Sequence, residues 1–368
     1  MSQLVISKSN LINNFNYFKN LKTHVFPVLK ANAYGHGLQE VLSILETLSF
    51  PCICLARGSE AIDLNYSGDI LILSSWNEQH LLKENSHCIF SLQSKEDLKT
   101  LKSCFKSQLN KKIRVHICLN SGMNRLGFSA DQFSDLEEFL NEHDESLSVE
   151  GIFSHLSQAS DSHEYSLLQF QCFSRMLQAQ IFQNMMSKNN LYIHFQNSYG
   201  SQLSFSSSEL NSSRIGLGLY GVSESPHLKL AKELKAVMSL KCRLRNILKL
   251  KKDSYVGYGT HYQLKRDSLI GVLPLGYADG LRRDSSLQGK KTDFYVNDVA
   301  LPVVGAVSMD LCHVDLSDLN FSFEELFEVD FSLINKNQGV EKIAQIHDTI
   351  SYEILTGLSS RLTRTLVE

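Results

Sequence analysis

Residues 24–37 read HVFPVLKANAYGHG. An apolar run from Phe26 to Leu29 stops on Lys30; small and polar residues follow, and Tyr34 leads into Gly35-His36-Gly37. Beyond it, Leu38, Val41, Leu42, Leu45 and Leu48 repeat at helical spacing and leave one apolar face. The stretch thus predicts a buried strand feeding a helix, the unit from which parallel α/β sheets are built. A lysine at a strand end is most simply a solvated side chain, with its stem on apolar surface and its charge in water. What else it does depends on what the rest of the chain brings beside it.

Working outward, the strand-like runs are 24–30, 52–56, 69–73, 87–92, 113–119, 149–155, 191–197 and 215–220, separated by helix-like segments. Eight β/α units over about 200 residues match a closed parallel barrel in length and count. An open doubly wound sheet is the rival, but no first turn carries a GxGxxG fingerprint. After about residue 225 the pattern changes to closely spaced alternating runs at 237–250, 268–275, 294–304 and 312–316, with Asn297-Asp298 as a turn. A last helix-like stretch, 347–361, has Asp348 as its N-cap candidate. The expectation is an α/β chain: a (β/α)8 barrel of the TIM type over 9–225, then a mostly-β domain over 226–368, with residues 1–8 candidates to join the latter.

Composition narrows the class. The chain has 368 residues, 43% hydrophobic and 20% charged, with a net charge of -3. It is long enough for two domains, and nothing in its charge argues for nucleic acid or an anionic membrane. The opening MSQLVISKSN lacks the basic start and apolar core of a secretory signal, and no apolar run approaches the roughly 20 residues of a membrane span. None of the eight cysteines forms a CxxC pair, and no Cys/His spacing resembles a metal site. Most lie in apolar runs, as small buried side chains do in a reducing compartment, so a cytoplasmic location is expected.

Catalytic groups of a β/α barrel stand at the C-terminal ends of its strands. Those ends hold Lys30; SGMNRLGF with Arg125; His155; and HFQNSYG with His194, Asn197 and Ser198, while strand 8 begins with Arg214, and Gly216, Gly218 and Tyr220 follow. An amine for a Schiff base, glycine and serine for a phosphate, and an arginine for a ring or carboxylate are what pyridoxal 5'-phosphate needs.

The motifs KANAYGHG, SGMNRLGF, HFQNSYG, RIGLGLYG, YVGYGTHY, LPLGYADG, VVGAVSMDLCHVD and TISYEILTGLSSRLTR, in that order, resemble bacterial alanine racemases, pyridoxal-phosphate enzymes built from a barrel and a β domain. The resemblance runs from about residue 4 to the C-terminus. It implies racemisation of alanine, with D-alanine destined for peptidoglycan, and a homodimer whose active sites are shared between subunits. By that resemblance Lys30 is the cofactor lysine and the acid/base for one face of the substrate. Tyr258, from the partner subunit, serves the other face. Arg214 faces the pyridine nitrogen, and because arginine has only donors that nitrogen stays unprotonated. His155 links Arg214 to Tyr258 and spreads positive charge towards the phenol. Tyr34, Ser198, Gly216, Leu217 and Tyr352 bind the phosphate, with Asn197 beside them. Arg125 meets the cofactor's phenolic oxygen and the substrate carboxylate, while Tyr277, Met309 and Asp310, with Ser308, form the gate and carboxylate region from the partner.

The chain departs from the family pattern in places. Cys118 falls where a carbamylated lysine commonly anchors the arginine matched by Arg125, and Asn120 falls at a common aspartate. A thiolate, a bound anion such as chloride, or a neutral hydrogen bond are the replacements open to it. Ile215, Ala306 and Ser308 also depart, with consequences expected mainly for packing. Three other readings compete: a broader-specificity racemase, a pyridoxal-phosphate lyase or decarboxylase on the same barrel, and a cofactor-binding barrel without catalysis. Arg214 at the ring nitrogen weighs against the decarboxylases, and VGYG and GYADG weigh against the last.

Overall fold

The computed structural model of the chain describes residues 2–22, 24–62, 64–74, 87–105, 112–159, 163–203, 205, 209–223 and 230–368. Eight strands form one parallel sheet: β2 (His24–Pro27), β3 (Ile53–Leu55), β4 (Ile70–Ile72), β5 (Cys88–Leu92), β6 (Ile113–Cys118), β7 (Leu147–Phe153), β8 (Tyr192–Gln196) and β9 (Ser212–Ile215). Their order is β2-β9-β8-β7-β6-β5-β4-β3. A single parallel bridge, Val28 with Cys54, joins the two ends and closes the barrel. Strands β3, β4 and β5 are buried throughout, as strands covered on both faces must be. Helix Leu38–Leu45 covers the outside with Val41, Leu42, Ile44 and Leu45.

The barrel floor is polar. Arg114 on β6 reaches both carboxylate oxygens of Asp69 at 2.6 Å and those of Glu150 at 2.7 and 2.9 Å. The same inward stripe of β6 carries His116 and then Cys118, two residues apart at each step as the strand period requires.

The rest of the chain is mostly β. A six-stranded sheet runs in the order β14-β13-β16-β10-β1-β17, and a three-stranded sheet runs β11-β12-β15. Their strands are β1 (Gln3–Ser7), β10 (Met238–Cys242), β11 (Asn246–Leu250), β12 (Ser268–Leu273), β13 (Asp293–Val296), β14 (Val299–Pro302), β15 (Cys312–Asp315), β16 (Phe331–Ile334) and β17 (Thr363–Val367). Strand β1 lies between β10 and β17, antiparallel to the first and parallel to the second, so residues 3–7 belong to this sheet. Asn297, at φ +54°, makes the turn of the β13–β14 hairpin.

Three sequence expectations are corrected. The eighth barrel strand is Ser212–Ile215 and not 215–220, where Leu217–Tyr220 forms a 3-10 turn. Gly216 takes φ -103°, ψ -100° and ends the extended chain, while the strand itself reads SSRI and is buried throughout although three of its four residues are polar. Run 237–250 is two strands in different sheets, β10 and β11. Stretch 347–361 is not one helix: Val340–Ile346 ends at Asp348, whose φ is +53°, and Ser351–Thr356 starts after Ile350. Asp348 therefore closes a helix in the left-handed conformation, a C-terminal role, and does not cap the next one.

Candidate active site

A cavity of about 780 Å³ opens at the C-terminal rim of the barrel, a volume that suits a small-molecule ligand. Lys30, Tyr34, Arg125, His155, Asn197, Ser198, Arg214, Gly216, Leu217 and Tyr352 all line it. Among its described lining residues are one lysine and two arginines, Lys30, Arg125 and Arg214, and no carboxylate. The chamber therefore favours an anion.

Lys30 stands at the mouth of an unusual turn. Ala31, Asn32, Ala33 and Tyr34 all have positive φ, from 51° to 56°, so the chain makes a left-handed helical turn straight after the strand. Such a turn costs roughly 1–2 kcal/mol per non-glycine residue. Asn32, a residue type that visits this region more readily, offsets part of the cost by accepting from the Leu38 N–H at 2.7 Å. Gly35 follows at φ +76°, where a Cβ would lie 2.1 Å from the Leu355 carbonyl oxygen. Helix Ser351–Thr356 and the Arg364 guanidinium, which donates to the Gly35 carbonyl at 2.9 Å, clamp the turn from the C-terminal part of the chain. Burial, then the charge of Arg125, lower the Lys30 pKa, which raises the share of neutral amine; Glu60 opposes them.

Arg214 is buried below the cavity and holds a set of neutral acceptors. It donates to His194 Nδ1 at 2.5 Å, to the carbonyls of His194 (3.0 Å) and Ser154 (2.6 Å), and to His155 Nδ1 at 3.0 Å. Since a guanidinium only donates, both histidines present a lone pair at Nδ1 and carry their proton on Nε2. His194 Nε2 then donates to His116 Nδ1 at 2.8 Å. Burial and the charge of Arg214 hold His155 and His194 well below the usual histidine range. His155 is therefore held as a neutral acceptor bonded to Arg214, the first half of the link expected from the sequence. The part of His116 went unread in the sequence, although the alternation of Arg114, His116 and Cys118 along one strand was the available signal.

Another part of the lining is made of hydroxyls and close backbone. Tyr34 and Tyr352 place their rings 5.8 Å apart. Gly216 is required there, because a Cβ would lie 2.5 Å from the Tyr34 hydroxyl. Ser198 Oγ accepts from the Gly218 N–H at 3.1 Å, and Asn197 Oδ1 accepts from the Gly200 N–H at 2.8 Å, fixing the loop after β8. Hydroxyls, glycine backbone and nearby cations together fit a phosphate.

Arg125 lies exposed on the cavity wall and makes no hydrogen bond or ion pair among the described residues. Burial pushes the neighbouring Cys118 thiol up to about 12, so it stays neutral, with Sγ 4.0 Å from the Leu126 carbonyl oxygen. Burial thus weighs against the thiolate alternative for Cys118. Asn120 Oδ1 accepts from the N–H groups of Gly122 and Asn124 at 3.1 and 3.0 Å and shapes the loop that carries Arg125.

Tyr258, Tyr277, Met309 and Asp310 do not line this cavity. They belong to the mostly-β part, where the Tyr277 N–H donates to the Ser308 carbonyl at 3.1 Å and the Ala278 N–H to that of Met309 at 3.0 Å. Asp310 pairs with Arg361 at 2.6 Å. Tyr258 is 68% exposed and Met309 53%, and Tyr255, Tyr277 and Leu311 are also exposed. No group of three or more His, Cys, Asp or Glu side chains that could hold a metal occurs among the described residues, and no helix among them is long and apolar enough to cross a membrane.

Comparison with known proteins gives a consistent picture. Residues 6–224 match the family model "Alanine racemase, N-terminal domain" and residues 237–366 match "Alanine racemase, C-terminal domain". An alanine racemase of Helicobacter pylori (strain J99) is 33% identical, covering 98% of this chain and 98% of its own. In structure, an alanine racemase of Clostridium difficile 630 superposes with a TM-score of 0.87 at 27% identity, covering 100% of this chain and 95% of the other. An alanine racemase of Bartonella henselae with covalently bound pyridoxal phosphate gives 0.82 at 26% identity, covering 100% and 99%.

Proposed function

Because this chain belongs to the alanine racemase family, we propose that it interconverts L- and D-alanine with pyridoxal 5'-phosphate held at Lys30. The observation that carries this reading is a single cation-lined cavity with an amine, a donor-only arginine at its floor and a hydroxyl and glycine cradle in its lining. When bound, the cofactor supplies an electron-withdrawing system that makes the substrate Cα–H acidic. The protein's part is to hold that group and move protons.

Lys30, its ammonium disfavoured by burial, takes or returns a proton on one face of the substrate Cα. Racemisation needs a second group on the opposite face, and this role is given to the Tyr258 phenol of a second copy of the chain. The exposed face carrying Tyr255, Tyr258, Tyr277 and Met309 supports a homodimer with shared sites. Arg214 meets the ring nitrogen without giving up its proton. Tyr34, Ser198, Gly216, Leu217 and Tyr352 hold the phosphate, with Asn197 fixing their loop. Arg125 receives the substrate carboxylate together with the Met309 N–H of the second copy, whose Tyr277 and Asp310 border the entrance. The seven described cysteines are unpaired, which accords with a reducing cytoplasm. The D-alanine formed is read as a peptidoglycan precursor.

The test uses purified protein and added pyridoxal phosphate. Wild type is expected to attach the cofactor at Lys30, located by reduction and peptide mapping, and to convert L-alanine to D-alanine. Lys30→Ala should abolish both, a loss of about 10²–10⁴-fold or more in rate. Full activity in that variant refutes the assignment. Carbon dioxide release without change of chirality would favour a decarboxylase instead.

A further inference from the structure

Glu60 stands in the 3-10 turn Gly58–Ala61 that follows β3. Its Oε2 accepts from the N–H groups of Ala56 at 2.7 Å and Arg57 at 3.0 Å. That alone is the ordinary reach-back by which a side chain closes the start of a turn. Its Oε1 does something such a cap has no need of. It crosses to the neighbouring strand end and accepts from the Ala31 N–H at 2.6 Å.

Ala31 is the residue after Lys30 and the first of the left-handed run. The first N–H groups of a helical turn have no partner within it, and here one carboxylate oxygen supplies that partner. The tie also spans β2 and β3, the seam joined by one bridge while the other barrel strands share longer ladders. One carboxylate thus laces both strand ends beside the amine. Among the groups acting on Lys30, Glu60 favours its ammonium, against burial, Arg125 and Arg214, and the described residues that line the cavity include no carboxylate.

We propose that Glu60 is a positioning residue for Lys30: its carboxylate holds the left-handed turn that presents the amine to the cavity and supplies the amine's counter-charge. This rests on the reading of Lys30 as the cofactor lysine. Glu60→Gln keeps the size of the side chain and one acceptor, removes the charge, and turns a donor amide towards N–H groups that need an acceptor. Glu60→Asp keeps the charge but shortens the reach.

Two quantities are measured on full-length apoprotein: the affinity for pyridoxal phosphate, and the pH dependence of Lys30 labelling by an amine-reactive reagent, read by mass spectrometry. In Glu60→Gln the labelling midpoint should move down by about one pH unit, the effect of losing one opposite charge. Cofactor binding should weaken about ten-fold, the size of one lost charged hydrogen bond. Glu60→Asp should keep the midpoint near wild type and still bind more weakly. An unchanged midpoint in folded Glu60→Gln overturns the proposal, whatever binding does. If Glu60→Gln does not fold, wild-type binding by Glu60→Asp overturns it. Failure of wild-type protein to attach the cofactor at Lys30 is a different result, which removes the reading of the site.

Discussion

Around Lys30 each group packs against another element of the same chain, whereas around Tyr258 the side chains stand in the open. The left-handed turn after β2 is clamped by helix Ser351–Thr356 and Arg364, and Arg214 is enclosed by two histidines and two carbonyls. Tyr258, Tyr277 and Met309 are 68%, 42% and 53% exposed. A buried arginine and four residues in left-handed conformation are expensive, and they persist only where surrounding structure overdetermines them. The open face carries no such strain; its cost is exposed apolar surface, which marks a place where another surface docks. On the function proposed above, one half of the chemistry is pre-assembled within the chain and the other half is offered outward.

The sharpest way to break this contrast is to put its two halves on different chains. Lys30→Ala and Tyr258→Phe should each be nearly inactive alone, with Tyr258→Phe still attaching the cofactor. Unfolding and refolding the two together should recover racemisation, because a mixed dimer has one site with both groups intact. Absence of recovery, in mixtures shown by mass spectrometry to contain mixed dimers, removes the shared site.

A smaller effect is expected from crowding the enclosed half. Gly216→Ala adds a methyl 2.5 Å from the Tyr34 hydroxyl. Overpacking of that kind costs about 1–3 kcal/mol, so cofactor affinity should fall roughly ten- to hundred-fold. Reactivity of Lys30 in the apoprotein should be unaffected. Titration of apoprotein with pyridoxal phosphate reads the difference, and unchanged affinity would mean that the phosphate does not use this cradle.

A third effect, read within a single pH unit, concerns acid. His36 is buried, stacks on Tyr220 at 4.3 Å and donates from Nδ1 to the Ala33 and Tyr34 carbonyls. Burial lowers its pKa from the ordinary 6.5 to about 4. Between those values the unfolded chain binds a proton that the folded chain refuses, so stability is complete above about pH 6.5 and is lost as pH falls towards 4. The contribution is about 1.4 kcal/mol per pH unit within that window. His36→Phe keeps a stacking ring and removes the titration, so the acid-side slope of unfolding free energy should flatten by that amount in denaturant melts. An unaltered slope would show that His36 titrates normally.

The residues at the barrel strand ends were largely legible, because a parallel barrel puts chemistry at one rim and the strand runs located it. Lys30, Arg125, His155, Ser198 and Arg214 all reached one cavity. The polar strand Ser212–Ile215 was placed too late because serine and arginine do not look like a buried strand. His116 was missed because its partner His194 is 78 residues away. The partnership of Glu60 with Ala31 spans 29 residues and leaves no local pattern.

Apolar periodicity, glycine spacing and the run of motifs determined the barrel, the β-rich second half and the candidate side chains of the rim, since those depend on local propensity and on residue chemistry. Protonation and posture were decided only in three dimensions. Whether Cys118 is a thiol, on which nitrogen His194 carries its proton, and how the Lys30 turn is held all follow from burial and from contacts between distant segments. Those set the local dielectric and the available partners, and neither is written along the chain.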